Sequence, residues 1–171
     1  MKMTSAYANK VLKKLYDDKE FLIANENQGM TYVASTEEEP VIPEYDYPRT
    51  SADIAAIDEK IVKIKHAINL ANTTNTIRFA DKEMTVDMVL ISMAQMNNRA
   101  ATLDRMRKYQ PKSRVDAYGY GSKQKVAPEY RYTNYDIELV KKDYESVNQL
   151  IAEMQLALDK YNQTVEFEVE I

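Results

Sequence analysis

The sequence predicts an all-α fold: three to four long antiparallel helices with coiled-coil-like seams, completed by a short hairpin and a C-terminal strand. Three observations predict it. Toward the end of the chain Ile137, Val140, Tyr144, Val147, Ile151, Met154, Leu158 and Tyr161 recur at alternating steps of three and four. Ile54, Ile57, Ile61, Ile64, Ile68 and Ala71 repeat the same alternation. This spacing keeps one narrow stripe turned toward a neighbouring helix. The 171 residues also include only three glycines and five prolines, too few for a loop-rich or all-β protein. One elongated helical domain over 1–171 is expected, interrupted by an irregular crossover at 27–50 and a long polar loop at 111–129.

Thr4 and Ser5 suit the start of a first helix reaching about residue 25, with Ala8, Val11, Leu12, Leu15, Leu22 and Ile23 on its apolar face and Gly29 at or past its end. Residues 30–33 suit a short strand. The crossover behind them carries three prolines. Thr50 with Asp53 reads as a capping box for a second helix from about 51 to 71. Isoleucine is a middling helix former, so its repetition on one seam reports packing rather than propensity. The polar run at 72–75 ends that helix. Thr76–Phe79 and Lys82–Thr85 suit a miniature hairpin around Ala80 and Asp81, although Ala-Asp is a poor two-residue turn.

Thr85 suits the cap of a third helix over about 86–109, with Asp87 near its positive end. Its seam is Val86, Val89, Met93, Met96, Ala100 and Leu103, and Pro111 closes it. The loop that follows is longer than ordinary connections, and loops of that length tend to be functional or disordered. Tyr130–Tyr132 reads as extended. Thr133 with Asp136 reads as the capping box of a fourth helix, about 134–161. In the tail Val165, Phe167 and Val169 alternate with Glu166, Glu168 and Glu170, a strand with one buried face. Such a strand needs a partner: Thr76–Phe79, residues 30–33, or its own copy in another subunit.

Composition narrows the function classes. The absence of cysteine removes disulfides, cysteine nucleophiles and thiolate metal sites, and it fits a reducing cytoplasm. The first residues hold no apolar run for a signal peptide, and no stretch approaches the ~20 apolar residues needed to span a bilayer. A cytoplasmic protein without a membrane partner is expected. The net charge of −4 is unevenly spread. Residues 99–125 hold eight basic side chains against two acids, while Glu37, Glu38, Glu39, Glu44 and Asp46 share the crossover. Such asymmetry steers anionic partners, or sets the acidic loop of one subunit near the basic loop of another.

Catalytic and metal chemistry find little support. His66 is the sole histidine and lies off the seam, so a solvated or helix-packed role is expected. Without a second His, Cys or Glu-x-x-His spacing, no metal site and no cofactor is predicted. No nucleophile elbow, phosphate-cradling loop or dinucleotide fingerprint is present, and Gly119-Tyr120-Gly121 is too short to be one. No catalytic residue is assigned. The nine methionines, five of them around the third helix, suit core packing. The best binding candidate interleaves Tyr118, Tyr120, Tyr130 and Tyr132 with Arg114, Lys123, Lys125 and Arg131. Tyrosine offers a stacking face and the cations hold phosphate, a pairing that suits a nucleotide and equally a protein interface. Arg114, Lys123, Lys125, Tyr130, Arg131 and Tyr132 are therefore the candidate ligand-binding residues.

The order of the pieces carries a resemblance. An isoleucine-rich helix ends in Ile68-Asn69-x-x-Asn72-Thr73. The segment from Phe79 to Thr85, of the form x-F-x-D-x-x-M-T, opens the next helix, and Asn162 with an alternating tail follows the last. Over nearly the whole chain this resembles an uncharacterised septicolysin-like family of small helical bacterial and phage proteins. The resemblance implies long antiparallel helices in homo-oligomers, and its label implies membrane activity. Asn72 matches a recurrent asparagine of that family. Tyr132 stands where relatives carry a tryptophan.

The expectation is thus a cytoplasmic, non-enzymatic, homo-oligomeric helical scaffold or binding protein. One alternative is an oligomer that binds or sequesters an anionic nucleotide-like molecule through the Tyr/Arg/Lys surface. A second is a membrane-active protein of the septicolysin-like kind. Partners would be further copies of the chain, another protein or an anionic small molecule; nucleic acid is not expected.

Overall fold

A computed structural model describes residues 1–115 and 127–171. The chain is mostly helical, with small antiparallel sheets. In order it forms β1 (Lys2–Thr4), α1 (Ser5–Gly29), α2 (Tyr47–Thr74), β2 (Thr76–Phe79), β3 (Lys82–Thr85), α3 (Val86–Met106), β4 (Lys112–Arg114), β5 (Tyr130–Tyr132), α4 (Ile137–Thr164) and β6 (Glu166–Glu168). The strands pair as β1 with β6, β2 with β3, and β4 with β5. The chain divides into two compact units. One is Met1–Ile77, Thr85–Asp87 and Leu158–Ile171; the other is Arg78–Met84 and Met88–Ala157.

In the first unit α1 and α2 run antiparallel. Gly29 abuts Tyr45 just before α2 begins, and Lys19 reaches Asp58 with Nζ–Oδ distances of 2.6 and 2.8 Å. Between the helices lie Ala8, Leu12, Ile61 and Ile64, joined by Met3 and Val169 from the two chain ends and flanked by Val11, Leu15, Ile57 and Ile68. Ile64 is fully buried. The isoleucine seam is therefore the buried face of α2. Thr4 caps α1 by accepting from Tyr7 N at 3.2 Å, as its hydroxyl allows.

Several boundaries differ from the sequence-based expectation. The second helix begins at Tyr47, not 51: Asp46 accepts from Arg49 N at 3.1 Å, and Pro48 occupies the first turn, where its missing N–H costs nothing. Thr50 is thus inside the helix. Residues 30–33 form no strand, because Met30 N still bonds Glu26 O at 2.8 Å to close α1. The tail strand pairs with none of the three expected partners but with β1, in the register Lys2 to Glu168, Met3 to Phe167 and Thr4 to Glu166. Met1 N and O continue that ladder to Val169 at 2.7 and 2.8 Å. The inward alternation of the tail holds, with Val169 buried, Phe167 half-buried and the glutamates exposed. Beyond α2, Asn75 donates to Ala71 O at 2.8 Å and to the Tyr161 hydroxyl at 3.4 Å. Burial raises the Tyr161 phenol pKa, and the bond from Asn75 opposes that shift.

The β2–β3 hairpin forms around Ala80 and Asp81 despite their poor turn chemistry, with φ of 41° and 59°. Positive φ at both central residues is what a tight twisted hairpin requires.

The second unit buries Val89, Ala100 and Leu103 of α3 and Val140 and Met154 of α4. Met93, Met96, Val147 and Ile151 are half-buried, so both expected seams lie on inward faces. The third helix ends at Met106 rather than 109. The fourth begins at Ile137 rather than 134, because Asp136 itself is the cap: its Oδ1 accepts from Glu138 N at 2.9 Å and Leu139 N at 3.3 Å. No helix among the described residues is long and apolar enough to cross a membrane.

Candidate binding surface on the β4–β5 hairpin

The segment expected as one long polar loop is, at its base, a two-stranded hairpin. Lys112 faces Tyr132, Ser113 faces Arg131, and Arg114 faces Tyr130. The ladder extends beyond the strands, with Thr133 N bonding Pro111 O at 3.2 Å and Val115 N bonding Glu129 O at 2.9 Å. Directly opposed residues share a face and successive ones alternate. One face therefore carries Lys112, Arg114, Tyr130 and Tyr132. The other carries Ser113, Arg131, Val115 and Glu129.

On the first face the Lys112 ammonium lies 4.2 Å from the centre of the Tyr130 ring and 5.5 Å from that of Tyr132. It makes a cation–π contact with both rings and leaves them part in solvent, Tyr130 at 42% and Tyr132 at 63% exposure. Arg114 is exposed and makes no ion pair among the described residues. On the second face Arg131, likewise without an ion pair among them, borders a cavity of about 250 Å³ with Ser113, Tyr109, Asn134 and Tyr135, and Tyr132 of the first face reaches its edge. The floor is fixed from α3: Tyr135 donates its hydroxyl to Met106 O at 2.8 Å. Beside it Arg107 lies 4.1 Å over the Tyr144 ring while its Nη2 holds Asp104 at 2.7 Å. Lys108 adds a second cation to Asp104, and these two partners hold that carboxyl below its ordinary pKa.

Of the six candidate residues, Arg114, Tyr130 and Tyr132 are brought together and Arg131 is turned to the opposite face. Lys123 and Lys125 lie outside the described residues, as do Tyr118, Tyr120 and the Gly119-Tyr120-Gly121 motif. Lys112 and Ser113 were not among the candidates. The usable signal was alternation: Lys112 and Arg114 mirror Tyr130 and Tyr132 at a spacing of two.

A separate cavity of about 300 Å³ in the first unit is bordered by Lys63, His66, Leu70, Glu168 and Glu170. His66 is exposed there, and Lys63 is already paired with Glu59 at 2.7 Å. No group of three or more His, Asp or Glu among the described residues could share a metal ion. Comparison with protein-family models, with curated proteins and with solved structures found no match to this chain.

Proposed function

We propose that this chain is a non-enzymatic, homo-oligomeric helical scaffold or binding protein of the cytoplasm, whose helix seams pack in coiled-coil fashion. The observation that carries the reading is large apolar side chains left in water on every helix: Phe21 on α1, Val62 and Leu70 on α2, Ile91 on α3, Leu139 and Leu156 on α4, each more than half exposed. Scattered single residues of this kind are ordinary, but their recurrence with spare area marks surfaces that meet a partner. The accessible surface is 13412 Å². Two separate compact units of half this mass would together expose roughly 10,000 Å² by the surface–mass relation. The likeness to the septicolysin-like family belongs to the same reading and rests on the sequence motifs quoted above.

Native mass spectrometry at low and high salt tests it. A discrete oligomer without added mass is expected; a monomer at every concentration rules the scaffold out.

A second reading is favoured by the cavity beside Arg131, where an arginine without an ion pair among the described residues meets hydroxyl and amide groups. That set suits a small anion such as a phosphate or a nucleotide phosphate. It predicts a thermal shift with nucleoside monophosphate that fades with salt and is lost in Arg131→Ala. An unchanged shift in that variant removes Arg131 from the site.

A further inference from the structure

The crossover between α1 and α2 is longer than its path requires. Gly29 and Tyr45 touch: a Cβ built on Gly29 would stand 2.7 Å from the Tyr45 Cβ. The Tyr45 hydroxyl donates to Glu26 Oε1 at 2.5 Å, and Asp46 already caps α2. Two antiparallel helices whose ends meet need a connection of only a few residues. Residues 30–44 therefore leave the helix pair and return to the same point, the geometry of an Ω-type loop.

Such loops ordinarily pack on their own side chains, and this one does not. Val33 is fully exposed, Val41 is 90% exposed and Ile42 62%. Glu37, Glu38, Glu39 and Glu44 are exposed without an ion pair among the described residues, and no basic residue lies between 31 and 46. Pro40 and Pro43 stiffen the stretch, which lowers the entropy lost when it is ordered against a partner.

The β4–β5 hairpin is its chemical complement. Among the described residues the face carrying Lys112 and Arg114 holds two cations, two tyrosine rings and no acid. We infer that the 30–44 loop of one copy docks on the Lys112/Arg114/Tyr130/Tyr132 face of a second copy. The inference rests on the homo-oligomer reading and specifies one of its contacts. Exposed ion pairs each contribute little, about 0–1 kcal/mol. Val41 and Ile42 seated on the tyrosine rings must then supply the affinity, while the charges choose the partner and set the register. Arg131 and Glu129 lie on the other face, and Tyr132 alone of the four docking residues also borders the cavity beside Arg131.

Two charge-reversed chains test this in sedimentation velocity at low salt: E37K/E38K/E39K in the loop and K112E/R114E in the hairpin. All five positions are exposed, so unchanged circular dichroism is expected of both. Each alone is expected to assemble at least tenfold more weakly than the natural chain. An equimolar mixture, in which opposite charges again face one another, is expected to regain assembly to within about threefold. V41S/I42S, which alters no charge, is expected to weaken assembly as well. If either charge variant assembles like the natural chain, or the mixture stays as weak as its components, the docking is wrong while the scaffold survives through another contact. A natural chain that never self-associates removes both.

Discussion

At the scale of single residues, Gly29 and Tyr45 form a tight junction in the first unit. Alanine in a helix is ordinarily worth about 1 kcal/mol more than glycine. Here the added Cβ meets Tyr45 Cβ at 2.7 Å and Cγ at 3.1 Å, atoms too near the backbone to swing away. Overpacking of this kind costs about 1–3 kcal/mol. Gly29→Ala is thus expected to lower stability by about 1 kcal/mol in urea unfolding. In a Tyr45→Gly background the same change is expected to stabilise, whereas Tyr45→Ala keeps the Cβ and the clash. The hydroxyl of Tyr45 offers an independent readout. Its hydrogen bond to Glu26, first among the causes, pushes the phenol from 10.0 up to about 12. A native pKa above the unfolded one means that the contribution is complete below pH 10 and vanishes as pH climbs through about 12. Ultraviolet titration of the natural chain minus Tyr45→Phe should show one phenol ionising near the upper value; a midpoint at the ordinary one would break the Tyr45–Glu26 assignment.

At the scale of elements, the β2–β3 turn stores removable strain. Ala80 and Asp81 both hold positive φ; aspartate tolerates this region, but it costs alanine about 1–2 kcal/mol. Asp81 is almost wholly exposed and its contact with Arg78 is 3.5 Å long, so little is lost by replacing it. A80N/D81G should raise stability by about 1–2 kcal/mol, visible as a higher Tm; no gain would mean that the turn relaxes in solution. This hairpin also shows how local signals compete. Lys82–Thr85 and Thr76–Phe79 were legible as strands from their side chains, although the turn residues argued against them. Helix faces were legible throughout, because the three-four seams of α2, α3 and α4 became their inward sides. Starts were less so. At α2 and α4 a threonine box masked the true caps, Asp46 and Asp136, although aspartate caps at least as well as threonine and Pro48 marked the first turn. Strands β1 and β4 were invisible: three residues cannot display a period, and their pairing partners lie elsewhere in the sequence. Of the binding surface, the residue types were legible but not their sorting into two faces, which follows from a register that composition does not encode.

At the scale of the whole molecule, neighbours on one helix should separate folding from assembly. Ile64 is wholly buried while Val62, two residues away, is 66% exposed. Ile64→Ala is expected to cost about 2–4 kcal/mol through the cavity it leaves, seen as an early unfolding transition. Val62→Asp should leave that transition within about 0.5 kcal/mol of the natural chain yet reduce self-association in sedimentation. Intact assembly in the second variant would show that α2 keeps no outward contact at Val62, and loss of its fold would show that Val62 supports folding rather than assembly.

The pairing of β1 with β6 carries a consequence for the order of events during synthesis. Met3 emerges from the ribosome early, and its cross-strand neighbour Phe167 is more than 160 positions behind. At about 5–20 residues per second the first strand waits roughly 10–30 s for its mate. Val169, one sixth of the buried cluster around Ile64, is missing for the same interval. During that time α1 and α2 can meet only around an unfinished core, and the second unit, which ends at Ala157, is itself complete only roughly 1–2 s before Val169 at that rate. The first unit, although it holds the chain's earliest residues, is therefore the last to be completed.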